Sequence, residues 1–156
     1  GGGPTRRRHA VRDALARWLR SVGHHAVTEQ VIGGWETADG QAVLDVVYHL
    51  GARGRICLDV SLVDAASAAR TGRGRTYVLR RREREKHHRY PHAGPVPFVL
   101  DNRGRWGAEA ETWLRQVLSE VPDEERNDAR RQLRATIAHA VQGQIAEQVA
   151  LAVELS

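Results

Sequence analysis

The chain has one cysteine, one lysine and no long apolar run, and each scarcity narrows what it can do. With Cys57 alone there is neither an internal disulfide nor a thiolate cluster for structural zinc. Its place in the apolar stretch RICLDVSLV marks it as a small buried hydrophobe. No segment approaches the roughly 20 apolar residues of a membrane helix, and the N-terminus lacks a signal-peptide core. A soluble, intracellular protein with no membrane partner is therefore expected. Of the 24 lysine and arginine residues, all but Lys86 are arginine. A residue needed there only for charge would more commonly have been arginine, so Lys86 is a candidate for chemistry.

What is abundant is positive charge. A formal net charge of +5 and a pI near 10.3 point to polyanionic partners, DNA first and RNA second. At 156 residues there is room for one domain with a real core and for little more. The opening GGGPTRRRH reads as the start of a piece of a longer polypeptide, with neighbours upstream.

Apolar residues from Val11 to Val22 recur at three- and four-residue spacing, which predicts an amphipathic helix over 6–22 ended by Gly23. His25 to Ile32 is partly alternating and predicts a strand, with Gly33-Gly34 and the polar Thr37 to Gly40 marking a turn. Ala42 to Leu50 and Arg55 to Val63 are rich in Val, Leu and Ile around Gly51-Ala-Arg-Gly54, the chemistry of a hairpin. Ala65 to Gly74 reads as a mobile loop, and Thr76 to Arg89 as an exposed charged helix stopped by Pro91. A short strand is expected over 96–100, where Pro97 suits an edge or an early position. Asn102 to Gly107 reads as a loop, and helices are expected over 108–121 and, after Pro122, over 124–155. The order implies an α/β fold, a mixed sheet flanked by helices, with a core over 1–121 and a C-terminal helical extension over 122–156 that packs on the core or on a partner.

Two aspartates stand out within this pattern. Asp45 in VLDVVYH and Asp59 in RICLDVSLV lie 14 residues apart in neighbouring apolar strands. Burying two like charges together is costly, which is a reason for a purely structural protein to avoid it. A divalent cation makes the arrangement useful, because it neutralises a phosphodiester and lowers the pKa of the attacking water. Mg²⁺ (or Mn²⁺) suits such oxygen ligands. Lys86 is placed to orient the water or stabilise the phosphate, Glu29 is a candidate third carboxylate, and Tyr90, one turn after Lys86, a candidate brace.

Plainer readings stand beside these. An aspartate in an apolar run is often an edge residue turned to solvent, and a lone lysine is most often a solvated helix residue. The cluster Arg80, Arg81, Arg82 and Arg84, mixed with Glu83 and Glu85, reads first as a charged exposed face. His24, His25, His87 and His88 read as surface residues. Trp18 and Trp113 are expected in the core, and Trp35 and Trp106 in loops where stacking on a base is open to them.

Taken together, RRRHAVRDALARWLRSVGHHAVTEQ, LDVSLV, REKHHRY and VPFVLDNRGRWG resemble the restriction-like endonuclease domain at the C-terminal end of non-LTR retrotransposon reverse transcriptases, a branch of the PD-(D/E)XK nuclease superfamily. Arg8-His9 matches the family's opening pair, Asp45 its first metal ligand, Asp59-Val60 its second, and Lys86 with Tyr90 its KxxxY motif. The chain departs where Leu44 replaces a proline and Ser61 stands where other members of the superfamily place a lysine. The resemblance implies a restriction-endonuclease-like fold and a metal-dependent, nuclear enzyme that nicks DNA to prime reverse transcription, within a larger polyprotein. Phosphate contacts are expected from Arg6, Arg7, Arg8, Arg73, Arg75, Arg80, Arg81, Arg84, Arg103 and Arg105. Two alternatives remain: a catalytically decayed nucleic-acid-binding module of the same fold, and a homodimer formed through the last helix, whose Leu133, Ile137, Val141, Ile145, Val149 and Val153 keep a four-residue rhythm.

Overall fold

The computed structural model describes residues 3–38, 40–90 and 94–155, with backbone alone for 3, 4, 36 and 144–155. The fold is α/β: helix α1 (Gly3–Ser21), strands β1 (Val27–Thr37), β2 (Gly40–His49) and β3 (Arg55–Val63), helices α2 (Ala66–Thr71) and α3 (Arg75–Arg89), strand β4 (Val96–Asp101), and helices α4 (Ala108–Leu118) and α5 (Asp123–Leu155). The four strands form one mixed sheet in sequential order, antiparallel except where β4 runs parallel to β3. Among the described residues no helix is long and apolar enough to cross a membrane.

Two segments differ from expectation. Gly33-Gly34 does not turn the chain; β1 runs on to Thr37 and its register slips between Ile32 and Glu36, with Gly34 at φ +84°. The glycines serve a bulge, where a positive φ is tolerated only without a side chain, and the reversal comes later, at Thr37 and Gly40. The supposed loop after Ala65 contains α2, a short helix that ends at Gly72 in the left-handed conformation. Pro91, expected to stop α3, lies outside the described residues.

Strands β2 and β3 pair over only four residues each, from Val46↔Leu58 to His49↔Arg55. Beyond that β2 is held by β1, from Val47 back to Gly40, while β3 is held by β4, from Leu58 on to Val63. The strands therefore part at Asp45 and Asp59, leaving a fork in the middle of the sheet.

Period-two alternation assigns the faces. Val46, Tyr48, Leu58, Val60, Phe98 and Leu100 point into the main core against α1, α4 and α5. There Trp18 meets Trp113 edge to face, Trp18 donates its indole N–H to the Ala129 carbonyl at 2.8 Å, and Trp113 donates to the Tyr48 hydroxyl at 2.7 Å. Leu133, Ile137 and Val141 of α5 are buried in this same core, so that stretch of the helix is occupied by its own domain. The side chains of Ile145, Val149 and Val153 lie outside the described residues. The opposite face carries Val47, Cys57, Asp59, Ser61, Val63 and Val99, and it is covered by α3.

Helix α3 is seated at its start by a buried carboxylate. Asp101, at the end of β4, accepts two hydrogen bonds from the Arg75 guanidinium (2.8 and 2.6 Å) and the backbone N–H groups of Arg103 and Arg105 (2.9 and 3.0 Å). Further along, buried Glu83 accepts the Glu109 N–H at the start of α4 (2.8 Å). Replacing Asp101 by Ala strands these donors and is expected to lower stability by about 2–3 kcal/mol in urea unfolding. A loss below about 0.5 kcal/mol would show that the helix is held otherwise.

Candidate functional site

The fork in the sheet is where the two aspartates meet. Asp45 and Asp59 are the first residues beyond the last pair, Val46↔Leu58, and their carboxyls lie close enough to influence one another. Both are buried, at 6% and 4% exposure. The parting strands leave the Val60 N–H without a ladder partner, and Asp45 Oδ2 accepts it at 2.7 Å. That bond fixes the carboxylate and keeps the fork open. Burial pushes the Asp45 carboxyl up to about 6, and the adjacent Asp59 adds to the rise; the Val60 N–H and the Arg8 guanidinium pull the other way.

Cations reach the pair from two helices. Arg8 of α1 brings Nη1 to 3.7 Å from Asp45 Oδ1. Lys86 of α3 brings Nζ to 3.1 Å from Asp59 Oδ2, with its side chain only 17% exposed. This contact is an ion pair without hydrogen-bond alignment, so Asp59 Oδ2 is buried with no hydrogen-bond partner. Tyr90 closes α3, its N–H bonded to the Lys86 carbonyl at 3.2 Å, and packs on Val47 and Cys57. Burial raises the Tyr90 phenol, and the negative charge of Asp59 raises it further.

Asp45, Asp59 and Lys86 thus converge, and Tyr90 stands near enough for the charges of both acids to raise its phenol. Glu29 does not join them. It lies opposite Asp45 in the β1–β2 register, yet its backbone is left-handed (φ +54°) and its exposed carboxylate pairs with Arg12 of α1. Among the described residues no third histidine, cysteine, aspartate or glutamate stands with the pair.

Beside the carboxylates opens a pocket of about 230 Å³ lined by Thr5, Arg8, Val60, Ser61, Leu62, Arg82 and Lys86. Arg82 is the residue that sequence reasoning assigned to a solvated face. It donates to the buried Ser61 hydroxyl at 2.6 Å. A signal existed: Arg82 is one helical turn before Lys86, and Ser61 is two residues after Asp59, on the same strand face.

The arginines expected at phosphate fall into several groups. Arg6, Arg80, Arg81, Arg84, Arg73, Arg103 and Arg105 are exposed, with Arg73 and Arg84 lying over the Tyr77 ring at 5.2 and 6.0 Å. Arg7 is half-buried with its Nε unpartnered, and Arg75 is committed to Asp101. Trp106 is buried against Phe98 and beneath the Arg134 guanidinium, which removes it from base stacking. His87 pairs at the surface with Glu109.

Asp45 and Asp59 are the two residues that could hold a hard divalent cation, as oxygen donors. Two carboxylates, one with an oxygen that meets the Lys86 ammonium at 3.1 Å without an aligned hydrogen bond, would leave the remaining positions of such an ion to water and substrate, as Mg²⁺ prefers. The donor set does not fit a closed zinc site. Scans of protein-family models and of curated protein sequences find no match to this chain.

The Asp45 shift has a consequence for the metal-free protein. Its folded pKa lies above the ordinary 3.8, so its ionisation destabilises the fold progressively as pH rises from about 4 to about 6. Asp45→Asn keeps an acceptor for Val60 and removes the charge. In chelator at pH 7 this variant is expected to be more stable than the parent by about 3 kcal/mol, with the gain gone near pH 4. An Asn variant that is less stable at pH 7 would contradict the buried-charge account.

Proposed function

We propose that this chain is a metal-dependent endonuclease domain that nicks DNA by phosphodiester hydrolysis. The observation that carries the reading is the convergence of Asp45, Asp59 and Lys86 at the fork, next to a cation-lined pocket. The sequence resemblance to the endonuclease domain of non-LTR retrotransposon reverse transcriptases supports it. So does the order of one helix, three antiparallel strands, helices and a parallel strand, which suits a restriction-endonuclease-like fold.

In this reading Asp45 and Asp59 hold Mg²⁺ or Mn²⁺, which supplies charge neutralisation at the phosphate and a more acidic water. Lys86 orients the water and stabilises the charge that builds on the phosphate oxygens. The water oxygen bonds to phosphorus, the bond to O3′ breaks, and the proton lost by the water is balanced by one gained at O3′. The products are a 5′ phosphate and a 3′ hydroxyl, an end suited to prime reverse transcription in a retroelement. Exposed arginines of α1, of α3 and of the loop after β4 supply sequence-independent affinity for the DNA backbone.

A second reading is favoured by the pair standing without a third carboxylate among the described residues. It is a nucleic-acid-binding module of the same fold whose catalytic centre has decayed. Supercoiled plasmid incubated with Mg²⁺ or Mn²⁺ distinguishes the two. The parent chain is expected to yield open circles, while Asp59→Ala yields none above background and binds DNA as well or better. Nicking that survives Asp59→Ala unchanged would refute the assignment, and a parent that binds DNA without nicking would favour the module.

A further inference from the structure

We propose that Arg82, held in place by Ser61, anchors the substrate phosphate in the pocket beside the carboxylates. The identity of that phosphate as a scissile phosphodiester rests on the nuclease reading; the pocket's capacity for an oxyanion does not. Three cationic side chains line this cavity, and two of them are tied to the acids: Arg8 to Asp45 and Lys86 to Asp59. Arg82 is the third, and its contacts lie elsewhere. It donates through Nη1 to Ser61 at 2.6 Å and through Nε to Glu85 Oε2 at 3.1 Å.

Those two contacts fix the guanidinium plane from β3 and from its own helix. A guanidinium has five N–H donors in a rigid fork, so donors remain for an anion. Ser61 itself is 4% exposed, in a row of the sheet that is otherwise apolar or acidic. Its hydroxyl accepts from Arg82 and holds the guanidinium at the pocket that both residues line. The strand thus delivers a basic group to the fork indirectly, through a serine and a helix-borne arginine. The cavity has roughly the volume of seven or eight liquid waters, enough for a tetrahedral oxyanion and part of its hydration.

The neighbouring carboxylates set the condition for binding. Without metal, Asp45 and Asp59 repel an anion; a divalent cation held by them would turn that repulsion into attraction, so phosphate and metal would tighten one another equally. Ser61 acts on phosphate only through Arg82 and is a positioning residue.

The test uses the full chain and inorganic phosphate, titrated by ³¹P NMR with and without Mg²⁺. Phosphate is expected to bind, and to bind at least several-fold more tightly with Mg²⁺. Arg82→Ala is expected to weaken it about tenfold or more, Arg82→Lys to recover part of the loss, and Ser61→Ala to weaken it several-fold, whereas Ser61→Thr, which keeps the hydroxyl, should come close to the parent. Thermal unfolding of each variant separates binding from folding. Absence of phosphate binding to the parent, or equal affinity in folded Arg82→Ala, overturns the inference. A parent that binds phosphate through Arg82 yet never nicks plasmid overturns the nuclease reading alone; one that nicks while Arg82→Ala binds phosphate and nicks normally overturns this inference alone.

Discussion

The fold turns on the point where β2 and β3 stop pairing. Two strands that continued their ladder past Val46 and Leu58 would satisfy every backbone group and leave no cleft. Instead one carboxylate, Asp45, takes the Val60 N–H in place of a strand carbonyl. A buried N–H without a partner costs about 1–3 kcal/mol, and Asp45 supplies the acceptor that removes that cost at the fork. That acceptor is charged, and a second aspartate stands close enough to influence it. The same side chain that removes the cost is one of the two that make the opening acidic.

Such an arrangement violates local rules of stability. Like charges held close together on neighbouring strands repel, and each loses hydration by burial. The surrounding residues reduce the cost without removing it: Arg8 approaches one acid and Lys86 the other, and neither forms an aligned hydrogen bond that would close the carboxylate off. An ion pair built for stability would bring more donors to Asp59. Asp101 shows what that looks like in this chain, where four donors converge on one buried carboxylate and seat α3. The contrast is between a carboxylate whose oxygens are fully taken up by structure and a pair of carboxylates held less completely. Seating of α3 matters in turn, because that helix carries Arg82, Lys86 and Tyr90 to the fork.

Much of this was legible from the residues. The helical periods of α1 and α4, the hairpin around Gly51 to Gly54, and the mixed α/β order follow from patterning that tertiary contacts reinforce. The 14-residue spacing of Asp45 and Asp59 becomes proximity in space because the hairpin loop is tight. Other features depended on geometry that no local signal carries. Gly33-Gly34 has the composition of a turn, and only pairing with β2 makes it a bulge. Glu29 has the right position in register to join the acids, but a left-handed backbone sends it to Arg12. Arg82 sits among charges that look uniformly solvated, and its difference emerges from Ser61, 21 residues earlier on another element.

The central claim is that the fork is a cation site made by two aspartates. Titration of Mn²⁺ into the metal-free chain, with free ion followed by electron paramagnetic resonance, tests it most directly. One tightly held Mn²⁺ per chain is expected, lost in both Asp45→Asn and Asp59→Asn variants that remain folded. A chain that binds no Mn²⁺, or one whose bound ion is indifferent to both substitutions, would contradict the account.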